Sequence, residues 1–345
     1  MRRILAILLL VLIGAGVWLA REQYLRIDQP YKGYEGAEQF VDVPSGLGTK
    51  AIGRLLVDAG VVSDPVTWRL AVWRSGTSTA LKAGEYRFTE AMSPAAVVAK
   101  LANGDVYVRS ITFPEGLTIR QMSALYEQAG FGAAKDFVAA AGDERLVASY
   151  DPSARNLEGY LFPDTYALPR RASAHDLVQR MVERFEAVMT PEVRQAAADA
   201  GLSVRQAVTL ASLVEKETAA PEERPVVAAV YRNRLRLRMG LQCDPTVIYA
   251  LELRGRFNGN LTKADLTIDS PYNTYRYRGL PPGPIAAPGR SSLEAAVRPA
   301  AVDYLFFVSR NDGTHAFAST LADHNRNVQK YQVQFFKKQE ARSKK

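Results

Sequence analysis

The chain has 345 residues, a formal net charge of +8 and 47% hydrophobic residues. This length fits a membrane anchor and about two domains, and the ordinary balance of apolar and charged residues excludes wholesale disorder. The single cysteine excludes an intrachain disulfide framework and a cysteine-based zinc site, and three histidines argue against a histidine-rich metal site. The positive charge favours an anionic partner, such as a membrane surface, an acidic polymer or a nucleic acid.

The N-terminal region carries one long apolar run. Seventeen uncharged residues, 4–20, follow two arginines and are closed by a third. At about 1.5 Å per residue, this run is at the short end of a membrane-spanning helix. A cleaved signal peptide is the alternative, but Trp18 would occupy the −3 position of a cut after Ala20, where a small residue is preferred. We therefore expect residues 1–21 to form a cytoplasmic N-terminus and an uncleaved signal anchor.

The arginines before the apolar run also predict an orientation. Positive charge is retained on the cytoplasmic side, so the N-terminus should stay inside and the rest of the chain should be translocated. In a bacterium this gives a single-pass protein of the inner (cytoplasmic) membrane with its C-terminal body in the periplasm. Cell-wall polymer is present there and cytosolic nucleic acid is not, which disfavours nucleic acid as the anionic partner.

The region after the anchor divides into a spacer and a small module. Residues 22–37 are polar and contain glycine, which is typical of a linker. Residues 38–108 alternate strand-like and helical stretches, and Ser93 and Gly104 are the start and stop signals of one helix. The expected strands are 40–44 and 84–88, and a further strand, within 107–116, opens the larger unit that follows.

Residues 109–335 form a larger, mostly helical unit. A segment rich in proline, glycine and tyrosine interrupts the helices at 269–290, and a strand-like run follows at 304–309. Residues 336–345 are a basic tail. The expected helices cover 118–129, 134–142, 174–188, 191–199, 203–219, 223–237 and 291–298, with a last one around 321–336.

The helix expected over 203–219 carries two carboxylates, Glu215 and Glu217. At about 100° per residue their side chains point to nearly opposite sides, so they cannot act as a close pair. Both sides are apolar, and periodicity alone does not choose between them. The bulkier neighbours lie beside Glu217, and an apolar setting would raise the pKa of its carboxyl group and let it hold a proton near neutral pH. The alternative is a solvated glutamate near a helix end.

Two further segments combine aromatic rings with polar groups. They are 158–166 (EGYLFPDTY) and 270–289 (SPYNTYRYRGLPPGPIAAPG). Such groups suit a sugar ring, which has an apolar face and a polar rim. Each segment also has a structural explanation, as a loop anchored by buried aromatic residues or as a rigid wrap over the core.

Other polar motifs are explained without chemistry. Asp244 before Pro245 suits the start of a helix. Four arginines at alternate positions in 232–238 are expected on a solvated face. His315 and His324 are expected to be structural or hydrogen-bonding groups rather than metal ligands.

Several long motifs make the chain similar to the YceG-like family, the endolytic murein transglycosylases. They are EGYLFPDTY, ASLVEKET, NRLRLRMGLQCDPTVIYAL, SPYNTYRYRGLPPGPIAAPG and YLFFVSRNDGTHAF, with KAGEYRF and FPEGLTIRQM upstream. The resemblance implies an α+β fold with an N-terminal transmembrane helix. It further implies a small LysM-like α/β module over 38–108 and a mostly helical, lysozyme-like catalytic domain with a small β part over 109–335.

The resemblance also implies an activity and a site. The family is expected to cleave the β-1,4 bond between N-acetylmuramic acid and N-acetylglucosamine within peptidoglycan strands, as a lyase that leaves 1,6-anhydromuramic ends. Its catalytic acid maps to the second glutamate of EKET, which is Glu217 here. Our candidates for substrate binding are Tyr160, Asp164, Asn273 and Tyr275. No metal or organic cofactor is required by this reaction. Cysteine at 243 departs from the small polar residue common at that position.

The implied partners are peptidoglycan glycan strands and the membrane, with cell-wall synthesis enzymes as further candidates and no nucleic acid. The implied role is to end the elongation of nascent strands. Two alternatives stay open. The chain could be a non-catalytic, membrane-anchored scaffold that binds peptidoglycan, or a muramidase that uses water and leaves reducing ends.

Overall fold

The computed structural model describes residues 2–77, 79–335 and 337, and shows a mixed α+β protein that is mostly helical with small sheets. The chain divides into two compact units. The first comprises Met1–Ser110 with Ala167–Arg171, and the second comprises Ile111–Tyr166 with Ala172–Lys345. The expected basic tail, 336–345, lies outside the described residues except for residue 337.

The first unit begins with α1, Arg2–Arg26. Among the described residues, α1 is the one helix that is long and apolar enough to cross a membrane, over Ile7–Arg26 with a mean hydropathy of 1.4. This is compatible with a single-pass anchor or with a signal sequence. The remaining elements of the unit are β1 (Gln39–Val43), α2 (Thr49–Asp58), α3 (Pro65–Ser75), β2 (Gly84–Phe88) and α4 (Pro94–Asn103).

The two strands of this unit pair antiparallel, with Val41 opposite Tyr86. The helix α3 starts where the carboxylate of Asp64 accepts hydrogen bonds from the backbone N–H groups of Val66 and Thr67, both at 2.9 Å. The core of the unit is centred on Trp68, which is fully buried and donates from Nε1 to the carbonyl of Thr49 at 2.8 Å. These contacts give the unit a core of its own.

The second unit is built mainly of helices. Each expected helix over 118–298 is present, with ends within two residues of those predicted. The elements are β3 (Arg109–Thr112, at the unit boundary), α5 (Ile119–Gln128), α6 (Ala134–Ala140), β4 (Thr165–Leu168, at the same boundary), α7 (Ala174–Val188), α8 (Pro191–Asp199), α9 (Val204–Glu217), α10 (Arg224–Arg236), α11 (Asp244–Leu253), α12 (Arg290–Val297), β5 (Phe306–Ser309), β6 (His315–Ala318) and α13 (Leu321–Val328).

The helix α9 lies at the centre of this unit. It begins with a capping box, in which Ser203 Oγ accepts from the backbone N–H of Gln206 and the Gln206 side chain accepts from the N–H of Ser203. All residues of 207–214 are buried, and α9 packs against α8, α10, α11 and α12. A helix surrounded in this way is apolar on every side. This explains why periodicity alone could not select one face.

The segment 268–289, which the structure describes in full, contains no helix or strand and is held by hydrogen bonds. The Asn273 amide donates to the carbonyls of Leu266 and Ile268 at 2.9 and 2.8 Å. Further along, the backbone N–H of Ile285 donates to Ser212 Oγ at 3.1 Å, which fixes the segment to the middle of α9.

At Gly159 the backbone of the 158–166 segment lies close to this irregular segment and to α9. Its φ is +84°, and an added Cβ would lie 2.4 Å from Pro284 and 3.1 Å from Val208. We expect Gly159→Ala to lower the free energy of unfolding by about 2–4 kcal/mol, because a left-handed backbone and a steric clash both oppose it. Far-ultraviolet circular dichroism during urea unfolding measures this loss.

Gly201→Ala is the matched control for Gly159→Ala. Its φ is +69°, but nothing lies within 4 Å of the added Cβ. This change should therefore cost only the backbone term of about 1–2 kcal/mol. Equal losses for the two variants would contradict the close approach of Pro284 to Gly159.

Candidate active site

Glu217 is the last residue of α9, and the extended backbone of Thr218 (φ −136°, ψ 133°) ends the helix directly after it. The carboxyl group lies in the wall of a cavity of about 310 Å³. The phenolic O–H of Tyr231 donates to Oε1 of Glu217 at 2.7 Å. The residues that line the cavity are Glu217, Arg234, Gln242, Asp244, Tyr275, Phe306, Phe307, Leu321 and His324.

The environment of Glu217 disfavours its charged form. Burial raises the pKa of the Glu217 carboxyl, while hydrogen bonds from Tyr231 and Cys243 act in the opposite direction. The nearby charge of Asp244 raises the pKa further, and His315 opposes this rise. The net result is a pKa above the ordinary value for glutamate. The carboxyl group is therefore adapted to hold a proton.

The two hydrogen-bonding partners of Glu217 are neutral side chains from other elements. Tyr231 belongs to α10 and Cys243 directly precedes α11, and both are buried. Burial raises the pKa of each well above its ordinary value, so both keep their protons. The Tyr231 ring packs edge-on against Phe307, with 6.1 Å between centroids. The carboxyl group is thus oriented by neutral groups held in fixed positions.

Glu215 has a different environment, although it is only two residues away. Its Oε1 lies 3.1 Å from Nη2 of Arg224, and its Oε2 accepts the backbone N–H of Gly289 at 2.9 Å. The same Arg224 nitrogen lies 3.2 Å from Glu115. Glu215 therefore links α9 to α10 through an ion pair and to the start of α12 through a hydrogen bond. Both of its carboxylate oxygens are used in these structural contacts.

A second carboxylate reaches the cavity from α11. Asp244 lies at the start of that helix, as predicted, but it is the first helical residue, and Cys243 occupies the cap position expected for Asp244. The Asp244 side chain also lines the cavity. The Tyr275 O–H donates to Oδ1 of Asp244 at 2.6 Å. The place of Asp244 in the cavity could not be predicted, because its spacing from Glu217 along the chain follows no local repeat.

One arginine of the 232–238 motif was wrongly expected on a solvated face. Arg234 is 7% exposed, and its guanidinium donates to the carbonyls of Leu305 and Leu241, both at 2.6 Å. It also lies over the Phe306 ring, 5.4 Å from the centroid. Burial lowers its pKa from the ordinary value for arginine. Arg234 therefore joins three parts of the cavity wall.

The two C-terminal histidines make structural contacts. Nδ1 of His315 lies 2.7 Å from Oε2 of the buried Glu223, and that oxygen also accepts from Thr218 Oγ1 at 3.3 Å. This pair supports the residue that follows Glu217. His324 lines the cavity and stacks on Phe306, and burial lowers its pKa.

Of the four predicted substrate-binding residues, Tyr275 lines this cavity together with Glu217, and the other three do not. Tyr160 is buried and donates to Asp151 at 2.6 Å, and Asp164 accepts from Arg184 at 2.8 Å. Asn273 is fully buried, and its side chain holds the irregular segment through backbone hydrogen bonds.

Tyr160 lines a different cavity, of about 520 Å³. The acid in its wall is Glu158, which accepts from the backbone N–H of Ile119 at 3.1 Å and from the Tyr249 O–H at 3.2 Å. Burial raises the pKa of Glu158 to about 7. The 158–166 motif therefore contributes a buried acid, Glu158, to this second cavity, and no local pattern in the sequence predicts this position.

The comparisons with known proteins agree with one another. The model of the YceG-like family matches residues 41–330. An endolytic murein transglycosylase of Bacillus subtilis (strain 168) is 34% identical, over 84% of this chain and 84% of that protein. An endolytic murein transglycosylase of Streptococcus pneumoniae serotype 2 (strain D39) is 31% identical, over 92% of this chain and 63% of that protein.

A solved structure gives the same relationship. The crystal structure of a YceG-like protein from Listeria monocytogenes is similar with a TM-score of 0.57 and 32% identity. The similarity covers 84% of this chain and 98% of that one. Family model, sequence relatives and solved structure thus cover most of the chain, and the chain belongs to the YceG-like family, that of the endolytic murein transglycosylases.

Proposed function

We propose that this chain is an endolytic lytic transglycosylase of peptidoglycan, with Glu217 as its general acid and base. The observation that carries the proposal is the carboxyl group of Glu217 in a cavity wall, hydrogen-bonded by neutral Tyr231 and with a raised pKa. The relatives named endolytic murein transglycosylase give the substrate class.

The first step is protonation of the leaving group. Glu217, protonated in the resting enzyme, gives its proton to the glycosidic oxygen between N-acetylmuramic acid and N-acetylglucosamine. The bond from that oxygen to C1 of the muramic sugar breaks, and positive charge develops at C1. The carboxylate left on Glu217 is then held by the O–H of Tyr231 and the thiol of Cys243.

The second step closes a ring within the muramic sugar. The Glu217 carboxylate takes the proton of the C6 hydroxyl, whose oxygen forms a bond to C1 and gives a 1,6-anhydro end. The proton balance closes on Glu217, which is again protonated, and no water is consumed. Because the nucleophile is internal, the reaction needs no second carboxylate to activate water.

A muramidase is the second candidate function, and one observation favours it. Asp244 lines the same cavity as Glu217. Glycosidases that use two carboxylates activate water or form a covalent intermediate with the second one. The identity of the product ends decides between the two reactions, because hydrolysis leaves reducing ends.

Tyr275 is our first choice among the substrate-binding candidates. It lines the cavity, and its O–H is fixed on Asp244. For Asn273 we propose that binding is indirect, since its amide is taken up in holding the irregular segment. Tyr160 and Asp164 remain candidates for contacts with sugars further along the strand.

The N-terminal unit bears on where the protein lies in the cell. We propose that α1 is a single-pass anchor in the inner membrane, with residues 22–37 as a linker and the body in the periplasm. For residues 38–108 we propose a LysM-like module, supported by the order β1, α2, α3, β2 with antiparallel strands. The second unit would be the lysozyme-like catalytic domain that cuts nascent strands and so ends their elongation.

Glu217→Gln tests the proposed acid. The change keeps the shape and the acceptor oxygen for Tyr231 but removes the transferable proton. We expect the formation of anhydromuramic ends from purified glycan strands to fall by about 10²–10⁴-fold, the range of general acid catalysis. Mass spectrometry of the product ends measures this loss.

Glu222→Gln is the matched control, because it makes the same chemical change at an exposed carboxylate nearby and should keep full activity. Unchanged strand binding with no cleavage by either the unmodified protein or Glu217→Gln would instead support the scaffold. Reducing ends that depend on Glu217 would identify a muramidase and refute the transglycosylase.

Tyr231→Phe tests how the proton is held. The Tyr231 hydrogen bond lowers the pKa of Glu217, so its removal should raise that pKa further. The active form is protonated and is lost as the pH rises through this pKa. The alkaline fall of kcat/KM should therefore move to higher pH in the variant. Tyr34→Phe, which removes an O–H in the first unit, should leave the profile unchanged. A shift to lower pH would contradict the proposed role of Tyr231.

A further inference from the structure

The helix α3 is attached to the last turns of α1. Within the first unit, Thr67 Oγ1 donates to the side chain of Gln23 at 3.0 Å. At the other end of α3, Arg74 forms an ion pair with Asp28 at 2.5 Å and lies over the Tyr24 ring, 5.6 Å from its centroid. Contacts at both ends fix the position of α3 along the axis of α1.

These contacts define a depth if α1 crosses a membrane, as the proposed function requires. The apolar run ends at Ala20, and Gln23 and Tyr24 follow it by about 4.5–6 Å along the helix axis. The polar layer on each side of a bilayer is about 5–8 Å thick, from the difference between the hydrocarbon core and the full bilayer. If α1 crosses the membrane, the residues of α1 that α3 contacts therefore lie at the level of the lipid headgroups, and Asp28, beyond the end of α1, lies further out.

Near this level α3 and α1 expose large apolar side chains. Trp73 is 75% exposed and Val66 43%, and they lie seven residues apart on one stripe of α3. Tyr24 and Leu25 of α1 are exposed as well. Trp68 faces the core instead and is fully buried. Tryptophan and tyrosine are the residues that concentrate at membrane interfaces, where an apolar ring meets a wet boundary.

Cations surround this apolar surface. Arg21, Arg26 and Arg69 are exposed at the end of α1 and on α3. Basic groups next to a membrane span are attracted to anionic lipid headgroups. The acidic residues of this region are Glu22, which is half-buried, Asp28, which is paired with Arg74, and Asp64, which caps α3. Both the apolar residues and the charges therefore fit one partner.

We propose that the interfacial patch, defined as Tyr24, Leu25, Val66 and Trp73, inserts into the headgroup layer of the membrane that α1 crosses, with anionic lipids as its partner. This inference rests on the proposed anchor. The first unit would then contact the lipid headgroups directly and would not be attached to the membrane through α1 alone. Trp73, which the core does not need, would be one of the contacting residues.

The fluorescence of the three tryptophans of the chain tests the contact of the interfacial patch with lipid. The full chain is placed in vesicles of phosphatidylcholine and phosphatidylglycerol, with bromine on the acyl chains close to the headgroups as a contact quencher. The Trp73 emission is the difference between Trp18→Phe and Trp18→Phe/Trp73→Phe. We expect this emission to be lost on bromination, while that of the buried Trp68 stays.

The Trp18 emission separates the two possible failures. It is the difference between the unmodified chain and Trp18→Phe, and its quenching reports the anchor. If Trp18 is quenched and Trp73 keeps its full emission, the contact of the patch with lipid is overturned and the anchor stands. If Trp18 is not quenched, the anchor itself fails. Vesicles without phosphatidylglycerol should quench Trp73 less, and equal quenching would overturn the preference for anionic lipids.

Discussion

The hydrogen bond from the Tyr231 O–H to the carboxyl group of Glu217 is the interaction on which the candidate site depends. It satisfies a buried acid without supplying a positive charge, so burial can keep the pKa of Glu217 raised. An arginine in the place of Tyr231 would stabilise the carboxylate and lower the pKa of Glu217, so that the group would hold no proton to donate near neutral pH. The pair is possible because α9 ends at Glu217 while α10 passes beside it, and the support of Thr218 by Glu223 and His315 holds that helix end in place.

The contrast between Glu215 and Glu217 shows how one helix gives two identical side chains different chemistry. Glu215 meets Arg224 and a backbone N–H of the following segment, and so it contributes to packing of the domain. Glu217 points away from that cation into a cavity that also contains Asp244. The separation of about 200° around the helix is sufficient to place one carboxylate in an ion pair and the other in the wall of a cavity.

Much of the fold follows from the sequence, and less of the site does. Helix ends were predicted to within two residues because caps such as Ser203 and proline at the first turn act locally. Glu217 was selected by family resemblance, because a helix buried on all sides has no distinctive face. The contact of Tyr231 with Glu217 and the places of Arg234 and Asp244 in the cavity wall could not be predicted. These three residues come from two other helices and converge only through tertiary packing. A strand was expected where β3 lies, but its pairing with β4 was not predicted, because the two strands are far apart in the sequence and meet only through tertiary packing.

The hydrogen bond between Ser212 and the backbone of Ile285 has a consequence for polymer binding. The proline-rich segment 268–289 has already lost its conformational freedom when the domain folds, so a polymer that bound there would not have to order a loop. Affinity for a long polymer can then come from many weak contacts, because no conformational entropy of this segment is lost on binding. Ser212, fully buried in α9, thereby contributes to the preorganisation of a segment that it contacts only through the backbone of Ile285.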